Sequence, residues 1–188
     1  MKVLLATKIR MSQVFENTKV IPVTILDTKS FVISKQGENK VLAGVGVDQK
    51  AGKAKLGKFK DLGFAPKDVK EYSLNDNEFG LEKFKEGDIV TIHSVSKGKG
   101  FAGVIKRYNM QGGPKTHGAT DKTRSVGSIG TKTIGRVTIG KRMAGRMGND
   151  RVTIKGLKVI KIDMDKKHLI LNGSIPGGKN STVVIETK

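Results

Sequence analysis

The sequence contains no cysteine, which excludes disulfides, thiolate metal sites and a cysteine nucleophile. Long apolar runs are absent as well. The opening MKVLLATKIRM is too short for a signal peptide or a membrane span, and it lacks the Arg- and Ser-rich amphipathic character of a transit peptide. A cytoplasmic protein is expected. Acids are scarce: 17 Asp and Glu stand against 36 Lys and Arg, a formal net charge of +19 over 188 residues. An excess of that size implies a polyanionic partner. A membrane surface is the poorer choice, because it calls for a basic amphipathic helix with bulky apolar residues opposite the charges. The basic part of this chain is rich in glycine instead. Nucleic acid is the expected partner, with no membrane and no small-molecule substrate.

No catalytic constellation stands out either. His93, His117 and His168 lie far apart with no ligand spacing, so no metal site is expected. His93 reads as a packed or solvent-facing strand residue, and His117, between Lys115 and Lys122, as a phosphate or base contact. Asp163 and Asp165 flank a turn, where such residues bond to local backbone. Gly98-Lys99-Gly100-Phe101-Ala102-Gly103 matches GxGxxG after a predicted strand, and Asp121 follows about twenty residues later. The dinucleotide fingerprint also needs a helix and a second parallel strand. Gly112-Gly113-Pro114 stops any helix early, and the second strand is absent. No kinase signature and no GxxxxGK[ST] loop accompanies it. Neither enzymatic activity nor a cofactor is expected.

The charge is concentrated in one stretch. From Ser96 to Lys155, sixty residues hold fourteen Lys and Arg, two acids (Asp121 and Asp150) and twelve of the 24 glycines. No apolar period persists through it, so it has no face to bury, and alone it should be disordered. A dense polyanion would order it, by relieving the mutual repulsion of its cations while glycine lets backbone approach phosphates. The expected RNA contacts are Lys97, Lys99, Lys106, Arg107, Lys115, His117, Lys122, Arg124, Lys132, Arg136, Lys141, Arg142, Arg146 and Arg151. Phe101 and Tyr108 either stack on unpaired bases or anchor the stretch, and for Phe101 the anchor is favoured. Met143 and Met147 are apolar residues at an expected apex, which suits an apex covered by a partner.

The other 128 residues carry 22 basic and 15 acidic side chains and are long enough for a core. They read as short strands. Val20 to Leu26 alternates with Ile21, Val23 and Ile25 on one face, and Pro22 suits an edge or strand start. Phe31 to Ile33 follows, then a turn at Gln36-Gly37-Glu38-Asn39. In Val41 to Val47 the residues Val41, Ala43, Val45 and Val47 share a face, with Gly44 and Gly46 marking a bend or close approach. Asp48 to Phe64 reads as a solvated basic loop. Pro66 is expected to open a short helix over Lys67 to Tyr72, and Leu81 and Phe84 another, ended by Gly87 as a left-handed cap. Asp88 to Val95, Leu157 to Ile162, His168 to Leu171 and Thr182 to Glu186 are strands, with turns at Asn172-Gly173 and Pro176-Gly177-Gly178. One strand system is thus interrupted once and resumes. The expectation is a small β-barrel, about 1–95 and 156–188, carrying an insertion, about 96–155.

SKGKGFAGVIKR at Ser96 to Arg107, GGPKTHG at Gly112 to Gly118, GSIG at Gly127 to Gly130 and GRVTIGKRMAGRMGNDRVTI at Gly135 to Ile154 resemble the ribosomal protein L3 family, in its bacterial form. KFKEGDIV before the stretch, NGSIPGGK near the carboxyl end, and KIRMSQVF with PVTIL near the amino end extend the resemblance over essentially the whole chain. It implies a single domain: a six-stranded translation-protein-type barrel with short helices and a long basic extension running through rRNA. It also implies direct binding of large-subunit rRNA, early assembly of the subunit, and neighbouring large-subunit proteins as partners. The extension tip, at Met143, Ala144, Gly145, Arg146, Met147, Gly148 and Asn149, would approach the peptidyl transferase centre. Arg10 stands where the family usually has glycine. Arg146 stands where many bacterial members carry a glutamine that some of them methylate, so that modification cannot occur here. The alternative is an RNA-binding barrel module acting outside the mature ribosome.

Overall fold

Twelve strands account for most of the regular structure in the computed structural model, which describes residues 1–16, 18–36, 39–73, 77–119, 121–131, 133 and 135–187, with backbone only at 35 and 36. In chain order they are β1 (Lys2–Glu16), β2 (Lys19–Asp27), β3 (Phe31–Gln36), β4 (Lys40–Val45), β5 (Asp68–Ser73) and β6 (Glu78–Phe79). Then come β7 (Ile89–Val95), β8 (Phe101–Ala102), β9 (Gly145–Arg146), β10 (Arg151–Asp163), β11 (His168–Asn172) and β12 (Thr182–Thr187). Two short helices, α1 (Lys53–Lys58) and α2 (Val104–Tyr108), and two single 3₁₀ turns complete the set. The protein is mostly β. Among the described residues no helix is long and apolar enough to cross a membrane. The chain divides into two compact units, Met1–Ser96 with Arg151–Lys188, and Lys97–Asp150.

In the first unit the strand order β12-β7-β10-β11-β2-β1 returns to its start, because β1 also pairs with β12. Each of these six strands is antiparallel to both of its neighbours. The ring closes on one core, to which every strand contributes: Leu4 and Ala6, Leu26, Val90 and Ile92, Val159, Leu169 and Leu171, Val183 and Ile185. Phe84 and Ile175, from the connections, complete it. A second antiparallel sheet, β3-β4-β5, packs Ala43 and Val45 against Val3, Leu5 and Val184. Over Val3 to Ala6, β1 is therefore buried on both faces, and these residues form a continuous apolar run. Each such side chain withdrawn from water contributes roughly 1.5–3 kcal/mol, before the entropy of ordering it.

Several expectations change. In β2 the buried residues are Val23, Thr24 and Leu26, while Ile21 and Ile25 are only half-buried. Thr24 takes a core position because its hydroxyl donates to the Gly173 carbonyl at 2.7 Å. β4 is buried from Val41 to Val45, covered on both sides, and Val47 lies beyond it and is exposed. Gly44 does mark a close approach: a Cβ there would fall 2.5 Å from the Pro66 ring. Asp48 to Phe64 is no loop but holds α1 and a 3₁₀ turn at Lys60–Leu62, with Phe59 buried against Leu42 and Ala65. Lys67 to Tyr72 forms no helix. β5 occupies it, because pairing with β4 supplies the ladder that local propensity alone does not. Leu81–Lys83 is a 3₁₀ turn ended by Phe84, and Gly87, at φ +90°, serves the turn into β7 instead. The turn after Gln36 has Gly37 and Glu38 outside the described residues.

β10 begins at Arg151, six residues before the strand expected at Leu157. A register shift between Ile154 and Leu157, with Gly156 at φ +79°, breaks its period of two and hides its first half from a pattern search. A similar shift between Lys8 and Arg10 bends β1, and Arg10 lies exposed just past it without a positive φ. A residue with a Cβ is therefore tolerated there. The turns at Gly173 (φ +84°) and Gly177 (φ +97°) stand as read.

Candidate nucleic-acid interface

The second unit, Lys97–Asp150, opens and closes with segments that lie side by side. β8 and β9 pair Phe101 with Arg146 and Ala102 with Gly145. The Lys99 amide donates to the Met147 carbonyl at 2.9 Å, and the Met147 amide to the Gly100 carbonyl at 3.0 Å. Gly148 has φ +73°, and a Cβ on it would strike the Lys97 carbonyl. Residues 145–149 thus lie against 97–102, and Gly148 answers to the chain's own backbone.

α2 follows Gly103 directly and ends after five residues at Asn109, which adopts the left-handed conformation (φ 56°). Its Val104 and the adjacent Ala102 are the only buried side chains among the described residues of this unit. What organises the rest is backbone contact. The Gly113 amide donates to the Thr123 carbonyl at 2.9 Å, and Cβ atoms at Gly112 and Gly113 would come within 2.6 Å of the Thr123 oxygen and 2.9 Å of the Lys122 oxygen. Only glycine allows two strands of chain to touch so closely.

Among the described residues, Arg107 is the one expected RNA contact in this unit that is half-buried rather than exposed. Its Nη1 donates to the Met143 carbonyl at 2.9 Å, its guanidinium lies 5.0 Å from the Tyr108 ring centre, and it fills the space a side chain at Gly145 would need. Arg142 lies over the same ring at 5.6 Å. Tyr108 thereby holds two cations together, a role its sequence position does not signal. Lys97, Lys99, Lys106, Lys115, His117, Lys122, Arg124, Arg136, Lys141, Arg142 and Arg146 are all exposed. Among the described residues none of these cations pairs with a carboxylate. Lys132 lies outside the described residues. Arg151 belongs to the first unit, at the head of β10.

Phe101 is no anchor: it is 81% exposed, because β8 buries its neighbour Ala102 instead. Ile139, at 95%, is more exposed still, while Met143 is exposed and Met147 half-buried. His93, on β7, is packed as expected: Nδ1 lies 2.8 Å from Thr153 Oγ1 and Nε2 3.1 Å from Glu186 Oε2. A surface of unpaired cations and exposed flat or branched apolar groups, on a unit without a core, suits a polyanion with stacked bases better than a small ligand.

The sequence profile of the ribosomal protein L3 family matches residues 60–176. The large ribosomal subunit protein uL3 of Herpetosiphon aurantiacus is 40% identical over 199 residues, covering 97% of this chain and 94% of that protein. Those of Dehalococcoides mccartyi strain 195 and Chloroherpeton thalassium are each 39% identical, covering 97% and 100% of this chain and 96% and 99% of their own. Matched along nearly its whole length and in the basic unit as well as the β ring, the chain belongs to the ribosomal protein L3 family.

Proposed function

We propose that the chain is a structural constituent of the large ribosomal subunit that binds large-subunit rRNA directly, acts early in its assembly and performs no catalysis of its own. In this reading the six-strand ring is a translation-protein-type barrel, and residues 97–150 form an extension embedded in rRNA. The two make one ribosomal-protein domain. Residues 143–149 approach the peptidyl transferase centre, and neighbouring large-subunit proteins complete the surroundings. The protein works on the ribosome in the cytoplasm.

One observation carries the reading: eleven exposed basic or histidine side chains, Lys97 to Arg146, share a unit with two buried residues and no described carboxylate partner. Such an arrangement is self-repelling until phosphates neutralise it. Arg107 is the exception, and it acts by fixing the 143–145 segment. The test is co-sedimentation of the tagged chain with intact large subunits through a high-salt wash. Retention is expected, and release into the light fractions with assembly precursors only would favour a factor acting outside the mature ribosome.

A further inference from the structure

The first unit has a cavity of about 430 Å³ whose wall is built from β5, β7, β10, β12 and the turn before β12. Its accessible apolar floor comes from Val69 and Val95, while Leu5 and Val184, which also line it, are buried in the core. Its polar wall includes Lys67, Lys70 and Arg151, with Asp68 as the one lining acid. Asp68 is already engaged, accepting a hydrogen bond from the Thr182 hydroxyl. Glu186, behind the wall, has both carboxylate oxygens occupied, by His93 Nε2 at 3.1 Å and by the Tyr72 hydroxyl at 3.4 Å. Among the described residues the side chains of Lys70 and Arg151 have no hydrogen-bond or ion-pair partner.

Lys70 is half-buried, and its pKa is pushed down, first by burial and then by the nearby Arg151 guanidinium, with Glu186 opposing. Two cations are thus held near one another at the mouth of a partly apolar cavity, and the lone lining carboxylate is turned to a hydroxyl. An anion entering there would relieve a repulsion that the fold offsets only in part, through Glu186. The cavity is also larger than a bare phosphate needs and falls within the range of small-ligand sites. Its apolar floor suits a planar ring, and Asn180 and Ser181 on the rim can hydrogen-bond a base edge.

We propose that this cavity is a second RNA site, taking a single unstacked nucleotide with its phosphate between Lys70 and Arg151 and its base against the apolar surface of Val69 and Val95. RNA-binding proteins commonly read splayed nucleotides in this way, by stacking or apolar contact beside a phosphate clamp. The site rests on the rRNA-binding reading above but uses none of the Lys97–Asp150 unit. An acidic protein segment would also meet the two cations, yet it would leave the apolar lining without a matching group.

The test crosslinks the full chain to large-subunit rRNA substituted with 4-thiouridine and maps adducts by mass spectrometry, for the parent, Lys70→Gln, Arg151→Gln and the control Lys161→Gln. Lys161 is exposed on β10 and does not line the cavity. Far-UV circular dichroism checks that each variant is folded. The expected result is a cavity adduct at one or two nucleotides, lost in Lys70→Gln and Arg151→Gln while adducts in residues 97–150 persist. Each of the two should also reduce the slope of log affinity against log salt by about 1, with the control unchanged. Adducts confined to residues 97–150, or Lys70→Gln behaving like Lys161→Gln, would overturn the site but not the broader reading. A parent chain that binds no rRNA would overturn both. Uridine monophosphate, inorganic phosphate and a polyglutamate peptide are titrated in parallel by amide chemical shifts of Ser94 and Ser181. Tight filling by any of them without an rRNA adduct would assign the cavity to a free nucleotide, an ion or an acidic chain, against the proposal.

Discussion

Of the 24 buried apolar side chains among the described residues, 22 lie in Met1–Ser96 and Arg151–Lys188, and only Ala102 and Val104 in Lys97–Asp150. All four described lysine–carboxylate ion pairs fall in the first unit too, Lys2–Asp88 and Lys55–Asp48 among them, as does the His93–Glu186 contact. Both units are basic, but the first balances much of its charge internally and is held by a core. The second is held by glycine-mediated backbone contacts, by one short strand pair and by Arg107. Charge sign alone does not mark an RNA surface; unbalanced charge without a core does.

That contrast can be broken most forcefully in the ring. Leu171→Ala should cost about 2–5 kcal/mol by removing a fully buried side chain from the core. Urea unfolding followed by circular dichroism measures it. Val104→Ala in the second unit should leave the same midpoint nearly unmoved, and equal losses would mean the two units share one cooperative core. Next in size is Gly148→Val, which meets both a positive φ and the Lys97 carbonyl. The strain, about 1–3 kcal/mol, should appear as faster amide exchange at Lys99 and Met147 with the ring strands unchanged. In assembled subunits it should also alter antibiotic binding at the peptidyl transferase centre, which measured drug affinity would reveal.

Electrostatic contrasts are smaller. If about ten cations of the second unit meet phosphates, rRNA affinity should fall with salt at a slope of about −7 to −9, and replacing Lys141 and Arg142 together by Ala should reduce it by about 1–2. Replacing Lys40 and Lys83, which face Glu71 and Glu78, should leave the slope alone. Filter binding across a salt series distinguishes these outcomes. Smallest of all is Asp88, whose pKa is lowered by hydrogen bonds from the Lys2 ammonium and the Lys85 amide. A carboxylate depressed on folding stabilises fully above its unfolded pKa and loses that contribution as pH falls through its folded value. Asp88→Asn should therefore be slightly less stable than the parent at pH 6 and converge with it below the ordinary carboxylate range, in acid unfolding curves.

The strands whose apolar residues alternate or run together, β2, β4, β7, β11 and β12, were legible in the sequence, as were the turns at Gly173 and Gly177. Composition also indicated that the basic stretch would bury little, and among the described residues of 97–150 only Ala102 and Val104 are buried. β5 was not legible, because its strand state comes from β4 beside it. The first half of β10 was hidden by a bulge, and Phe101 by the absence of any cue that Ala102 takes the buried side. The exposed cations of the interface followed from charge and glycine content. The contact of Arg107 with the Met143 carbonyl and the meeting of Lys70 with Arg151 did not, for both depend on segments brought together from 36 and 81 positions apart.

Residues 97–150 should need RNA to be held in place, while the ring should not. Amide hydrogen exchange on the full chain, free and bound to large-subunit rRNA, measures this directly. Protection at β1, β7, β11 and β12 should be strong and equal in both states, and protection across 112–150 should be weak in the free chain and rise on binding. Strong protection throughout 112–150 without RNA would contradict it.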